Sequence, residues 1–141
     1  MFLIDTNVLS ESRKARTGRA DPRVVAWLAA TDPATTFISP MTIFELELGV
    51  VRVERRDAAQ GRILRHWLEN IVKAGFSGRV LALDGVVAAT CAKLHVPDPV
   101  SERDGWIAAT ALVHGLTVAT RNTVDFAASG AALVNPWDAG L

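Results

Sequence analysis

The chain has 141 residues, half of them hydrophobic and 21% charged. That is the size of one ordinary domain with a buried core, and it excludes intrinsic disorder as the main description. Fifteen basic against fifteen acidic side chains leave no net charge, which excludes a protein that grips nucleic acid by bulk charge alone.

Any contact with a polyanion must therefore come from local basic patches or from metal ions. The single cysteine, Cys91, cannot form an internal disulfide or build a cysteine-rich zinc site, and in the run Val86–Ala92 it reads as a small buried hydrophobe. Met1-Phe2-Leu3-Ile4 meets Asp5 at once and lacks a basic lead, so no signal peptide is expected. No apolar stretch reaches the ~18–20 residues that cross a bilayer. A soluble protein of the reducing cytoplasm is expected.

Taken in chain order, Phe2-Leu3-Ile4 reads as a strand buried on both faces, stopped by a polar turn at Asp5-Thr6-Asn7. Asp21-Pro22 supplies a cap and a first-turn proline for a helix over Arg23–Ala30. Thr36-Phe37-Ile38 is strand-like, and Ser39-Pro40 repeats the cap-and-proline start before a helix over Met41–Glu54. A further helix is predicted from Ala58 to Lys73, with Ile63, Trp67 and Ile71 as its core-facing stripe and Leu64 and Leu68 beside them. Arg79–Leu83 reads as another strand, and Asp84 caps a helix over Gly85–Leu94.

Pro97–Glu102 is a loop, and Arg103–His114 is an alanine-rich helix closed by Gly115. Leu116–Ala119 leads as a strand into the turn Thr120-Arg121-Asn122, and Ala131–Val134 is a short last strand. Strands separated by helix-length segments predict βαβ units. The fold class is therefore α/β, a mostly parallel central sheet flanked by helices, with residues 1–141 as one domain.

Ligands of open parallel sheets bind beyond the carboxyl ends of the strands. That rule singles out Asp5 after the first strand, Asp125 past Leu116–Ala119, Asp104 in the first turn of its helix, and Glu45 one turn inside another. Thr42, Glu45, Gly49 and Arg52 share a helix face, while Glu47 points the other way. Singly, each acid has an ordinary reading: a turn residue at Asp5, a solvated helix position at Glu45, a helix N-terminal charge at Asp104, a turn cap at Asp125.

Together they would repel. Two charges ~4 Å apart interact by about 1 kcal/mol in water and about 4 kcal/mol at an effective dielectric near 20. Either some stay protonated or a hard divalent cation neutralises them, and an all-oxygen donor set favours Mg²⁺ or Mn²⁺ over zinc. Phosphodiester hydrolysis is the chemistry that fits.

Four segments in order resemble the motifs of PIN-domain ribonucleases: Phe2–Ser10, Phe44–Gly49, Asp104–Ala111 and Val118–Phe126. The chain is most similar to the VapC toxins of toxin–antitoxin pairs, in a FitB-like branch with an Asn135-Pro136-Trp137 ending. The resemblance implies that Asp5, Glu45 and Asp104 bind the metal, with Asn7 supporting the first aspartate and Thr120 orienting the pocket. The fourth acidic position falls on Asn122, with Asp125 three residues later. Either Asn122 suffices through its carbonyl, or Asp125 takes the role, or a second metal binds weakly.

It further implies an Mg²⁺-dependent endoribonuclease toxin, with Mn²⁺ as a substitute. Such an enzyme cuts tRNA or another structured RNA, dimerises, and is inhibited by a small DNA-binding VapB-like antitoxin. Arg13, Lys14, Arg16, Arg19, Arg52 and Arg121 are candidate phosphate contacts, against an ordinary role as solvated charges. The three histidines read as structural, and Trp27, Trp67, Trp106 and Trp137 as core or interface anchors.

Two other readings compete. A receiver-type phosphoacceptor module would need an aspartate pair after the first strand and a late lysine, which Asp5-Thr6-Asn7 and Thr120-Arg121-Asn122 do not supply. A catalytically silent PIN scaffold that only binds a protein partner would be separated from an enzyme by RNA cleavage in Mg²⁺.

Overall fold

The computed structural model describes residues 1–138. Four short runs form the sheet: β1 (Phe2–Ile4) and β3 (Thr117–Ala119) at its centre, with β2 (Thr36–Phe37) and β4 (Ala132–Val134) at its two edges. The order is β2-β1-β3-β4 and every pairing is parallel. The expectation of a mostly parallel sheet holds.

Helices cover both faces. They are α1 (Thr6–Arg13), α2 (Pro22–Ala30), α3 (Pro40–Arg56), α4 (Ala58–Trp67), α5 (Gly85–Leu94), α6 (Glu102–His114) and the short α7 (Thr123–Phe126). Successive strand residues point to opposite faces. Ile4 and Ala119 therefore join Val8, Val24, Leu46, Val50, Leu68 and Trp137 in one core, while Leu3 and Val118 meet Ile107, Ala108, Ala111 and Phe126 in the other. Cys91 packs with Val87 and Ala109 in a third apolar cluster, as its composition predicted.

The caps behave as the sequence predicts. Asp21, Ser39 and Asp84 accept first-turn N–H groups of α2, α3 and α5, and Gly115 closes α6 in the left-handed conformation. Glycine takes that conformation without a steric penalty.

Three expectations are corrected. Asp5-Thr6-Asn7 is not a free turn, because Asp5 caps α1 and Thr6 and Asn7 already lie in it. Arg79–Leu83 is not a strand. Only Val80 bridges Ile38, through the Ile38 N–H to the Arg79 carbonyl at 3.1 Å and the Leu81 N–H to the Ile38 carbonyl at 3.0 Å. The neighbouring strand runs out there, since Ser39-Pro40 turns the chain into α3.

The third concerns the long helix after α3, which continues past α4 as a π-helical stretch over Leu68–Lys73. Its buried face is Gly61, Leu64, Leu68 and Val72, while Ile63 and Ile71 are 61% and 42% exposed. The reason is the approach of α3. A Cβ on Gly61 would lie 2.6 Å from the Glu54 Cα, so the glycine must face α3, and the buried stripe lies one residue beyond the predicted one. Outside this contact Arg65 pairs with Glu47, Glu54 and Glu69, and Lys73 with Glu47 and Glu69. Such exposed pairs contribute little singly, but they explain why Glu47 faces away from Glu45.

Among the described residues no helix is long and apolar enough to cross a membrane.

Candidate active site

After β1 the chain crosses to β2 on one side, and β3 pairs on the other. The strand order therefore reverses at the β1–β3 seam, where open α/β sheets place their ligand crevice. Ile4 pairs with Ala119, so the next residues, Asp5 and Thr120, leave the sheet side by side. The Asp5 N–H still donates to the Ala119 carbonyl at 3.0 Å and the Thr120 N–H to the Val134 carbonyl at 3.0 Å.

Both oxygens of Asp5 are engaged. Oδ1 accepts the Thr6 N–H at 2.8 Å, and Oδ2 accepts the Thr120 hydroxyl at 2.7 Å. Asn7 Nδ2 lies 3.4 Å from both Asp5 Oδ2 and Thr120 Oγ1, and Asn7 Oδ1 accepts the Arg121 N–H at 3.3 Å. Thr120 Oγ1 in turn accepts the Asn122 N–H at 3.0 Å. Asn7 and Thr120 thus fix the orientation of Asp5, which is 5% exposed.

Glu45 arrives from α3. Its Oε1 accepts the Thr6 hydroxyl at 2.9 Å, and its Oε2 lies 3.9 Å from the Arg103 guanidinium. Asp104 arrives from the first turn of α6. One cavity of about 380 Å³ is lined by these three carboxylates and by Glu11, together with Thr6, Asn7 and Asn122; its cations among the described residues are Lys14, paired with Glu11 at 3.1 Å, and Arg121.

The electrostatics follow from crowding and burial. Burial raises the Asp5 carboxyl above its ordinary range, against the Thr120 and Thr6 hydrogen bonds. Glu45 is raised by burial and by Asp5, against the Thr6 hydroxyl and Arg103. Asp104 is pushed up to about 6, first by burial and then by the charges of Asp5, Asp125 and Glu45. Like charges and desolvation both disfavour the ionised form.

The donor set fits a hard divalent cation. Every candidate ligand is oxygen, and the mutual repulsion of the acids is what a cation relieves. Among the described residues no three Asp, Glu, His or Cys side chains are close enough to enclose an ion unaided. An ion here would keep water ligands, and Mg²⁺ does so, taking one or two protein carboxylates.

The remaining sequence-predicted residues divide. Asn122 lines the carboxylate cavity, whereas Asp125 sits exposed in α7 outside that lining and reaches Asp104 only through its charge. Of the basic candidates, Lys14 and Arg121 line the cavity; Arg19 and Arg52 do not. Arg13 and Arg16 line a separate, largely apolar groove with Ile63, His66 and Trp67. Arg121 is held by its guanidinium over the Trp137 ring, 5.2 Å from the centroid.

Sequence reasoning missed Thr6, whose hydroxyl joins Asp5's helix to Glu45. The signal was the polar residue directly after the cap, which a turn reading hides.

Comparison with known proteins agrees with this geometry. A model of the PIN domain matches residues 2–129. Toxin FitB of Neisseria gonorrhoeae is 39% identical, across 97% of this chain and 99% of FitB. VapC ribonuclease Y4jK of Sinorhizobium fredii is 38% identical, across 98% of this chain and 99% of that protein. A solved structure of FitAB bound to the IR36 DNA fragment superposes with a TM-score of 0.88 at 36% identity, covering 98% of this chain and 96% of that one. With matching sequence over nearly its whole length and carboxylates meeting at the sheet's switch point, the chain belongs to the PIN-domain family, in its branch of VapC-type toxin ribonucleases.

Proposed function

We propose that this chain is an Mg²⁺-dependent endoribonuclease toxin, with Mn²⁺ able to substitute, that cuts tRNA or another structured RNA at an unpaired segment. The observation that carries the reading is the meeting of Asp5, Glu45 and Asp104 at one cavity whose cations are Lys14 and Arg121. Asp5 and Asp104 would hold the cation with help from Glu45, and Asn7 and Thr120 keep Asp5 in position. Asn122 supplies a neutral oxygen at the fourth place, with the exposed Asp125 contributing charge alone. When bound, the ion supplies a water of lowered pKa and positive charge beside the phosphate oxygens.

The side chains do the rest. Lys14 and Arg121 bind the phosphates flanking the cut. Glu45 has Oε1 occupied by the Thr6 hydroxyl, so Oε2 takes the proton of the attacking water. As the water oxygen bonds to phosphorus the P–O3′ bond breaks, leaving a 5′-phosphate, and the released 3′ oxygen takes a proton from solvent as a 3′-hydroxyl while Glu45 gives its own back to solvent.

Residues 1–141 act as one catalytic domain, in the cytoplasm and as a homodimer. A small DNA-binding antitoxin inhibits the enzyme. FitB's occurrence in a FitAB complex on DNA supports such a partner.

Purified protein incubated with tRNA and with an unstructured RNA tests this. Cleavage is expected in Mg²⁺ or Mn²⁺, none in excess chelator, and the new ends should carry 5′-phosphates. Cleavage that survives chelation, or ends bearing 2′,3′-cyclic phosphate, would overturn the reading.

A further inference from the structure

A second cavity, about 610 Å³, adjoins the first and shares Glu45 and Asp104 with it. Its other walls include Met41, Phe44, Arg103 and Trp106. Phe44 is an aromatic residue left 48% exposed on α3. The Arg103 guanidinium lies over its ring, 4.9 Å from the centroid, and stays close to Glu45 at 3.9 Å. An exposed aromatic with a stacked guanidinium, directly beside the carboxylates, is a surface with no role in the core.

The aromatic lining decides what it takes. Among the described residues both cavities carry two more acids than cations: Glu45, Glu102 and Asp104 against Arg103 in the second, and Asp5, Glu11, Glu45 and Asp104 against Lys14 and Arg121 in the first. Net charge therefore does not separate them, but the first alone contains Asp5, with Lys14 and Arg121 beside it, and the second alone offers an exposed aromatic face under a guanidinium. The backbone therefore belongs in the first cavity, and an uncharged planar group in the second. Unpaired bases stack on aromatic rings and on arginine planes, whereas a base inside a duplex has no free face.

We propose that the Phe44–Arg103 stack receives the unpaired nucleobase of the nucleotide next to the scissile phosphate, so that this pair positions single-stranded RNA over the carboxylates. The proposal rests on the nuclease reading and adds the part of the substrate that is read. Phe44 and Arg103 are positioning residues; neither touches the reacting atoms.

The test uses the full chain in chelator and a 12-nucleotide unstructured RNA carrying 2-aminopurine at successive positions. At one position the 2-aminopurine fluorescence should be quenched on binding, and an abasic site there should weaken affinity about tenfold. Phe44→Ala should abolish the quench and lose a similar factor, Phe44→Trp should restore both, and annealing the complementary strand should remove binding to this site. In Mg²⁺, Phe44→Ala should raise KM more than it lowers kcat.

Unchanged affinity and quench in Phe44→Ala would overturn the proposal, while metal-dependent cleavage in the same preparation would leave the nuclease reading standing. If Phe44→Ala instead converts a dimer to a monomer with RNA affinity intact, the surface belongs to a second copy and the proposal also falls. Wild-type protein that neither binds nor cuts RNA would sink the nuclease reading and this one with it.

Discussion

Asp5→Asn is expected to lower the single-turnover rate of RNA cleavage by about a thousandfold while leaving the fold intact. The substitution keeps the shape and removes the charge. Its severity follows from position: Asp5 is the buried acid at the β1–β3 seam, oriented by the Thr6 N–H, the Thr120 hydroxyl and Asn7. On the proposed mechanism a neutral amide there cannot hold a hard cation as a carboxylate does, and catalysis loses that charge.

The fold survives for a reason written in the same environment. Burial already disfavours the ionised carboxyl, so removing the charge costs little. Turning an amide NH₂ toward the Thr120 hydroxyl loses roughly one hydrogen bond, about 1 kcal/mol. Circular dichroism and melting should therefore match wild type closely. Equal cleavage by wild type and variant would identify a contaminating nuclease and leave a silent scaffold as the better description.

Asp104→Asn should likewise be inactive, yet more stable than wild type in the absence of metal at pH 7.5. The sign follows from the shift. Asp104 titrates near 6 in the folded protein against 3.8 ordinarily, so the folded state holds this proton more tightly than the unfolded chain. Its contribution to stability is therefore greatest below about pH 4, is lost as pH rises from there through 6, and remains a penalty above 6.

Removing the ionisable group removes that penalty. A rise in Tm of a few degrees is expected for a domain of this size. Mg²⁺ should raise the wild-type Tm at pH 7.5, raise it far less at pH 5 where Asp104 is protonated, and have little effect on Asp104→Asn. Differential scanning fluorimetry at the two pH values reads all of this. A metal-free Asp104→Asn that melts below wild type at pH 7.5 would contradict the crowding of charge at this site.

Much of the site was legible because its parts obey local rules. Asp5 follows an apolar run, Glu45 lies one turn past a Ser39-Pro40 cap, and Asp104 opens an alanine-rich helix. Each rule needs only neighbours in sequence. Helix α1 was not legible, since Asp5-Thr6-Asn7 has the same chemistry whether it caps a helix or makes a turn.

Features set by contacts between distant segments were hidden as well. The Ile4–Ala119 register that puts Asp5 beside Thr120 depends on pairing across more than a hundred residues. The inward turn of Gly61 toward Glu54 displaced the expected stripe of Ile63 and Ile71. Phe44 looks like any apolar residue on an amphipathic helix until α6 lays Arg103 over it. The fold divided the basic residues too: composition grouped Arg13 through Arg19 as one loop, but of these only Lys14 lines the cavity shared by Asp5, Glu45 and Asp104.

The convergence of the acids on one ion is tested most directly by soaking crystals of the wild-type protein in Mn²⁺ and collecting anomalous diffraction. A single strong peak within coordinating reach of both Asp5 and Asp104, absent from Asp5→Asn crystals, is the expected result. A peak that bypasses both carboxylates, or one that persists unchanged in Asp5→Asn, would contradict it.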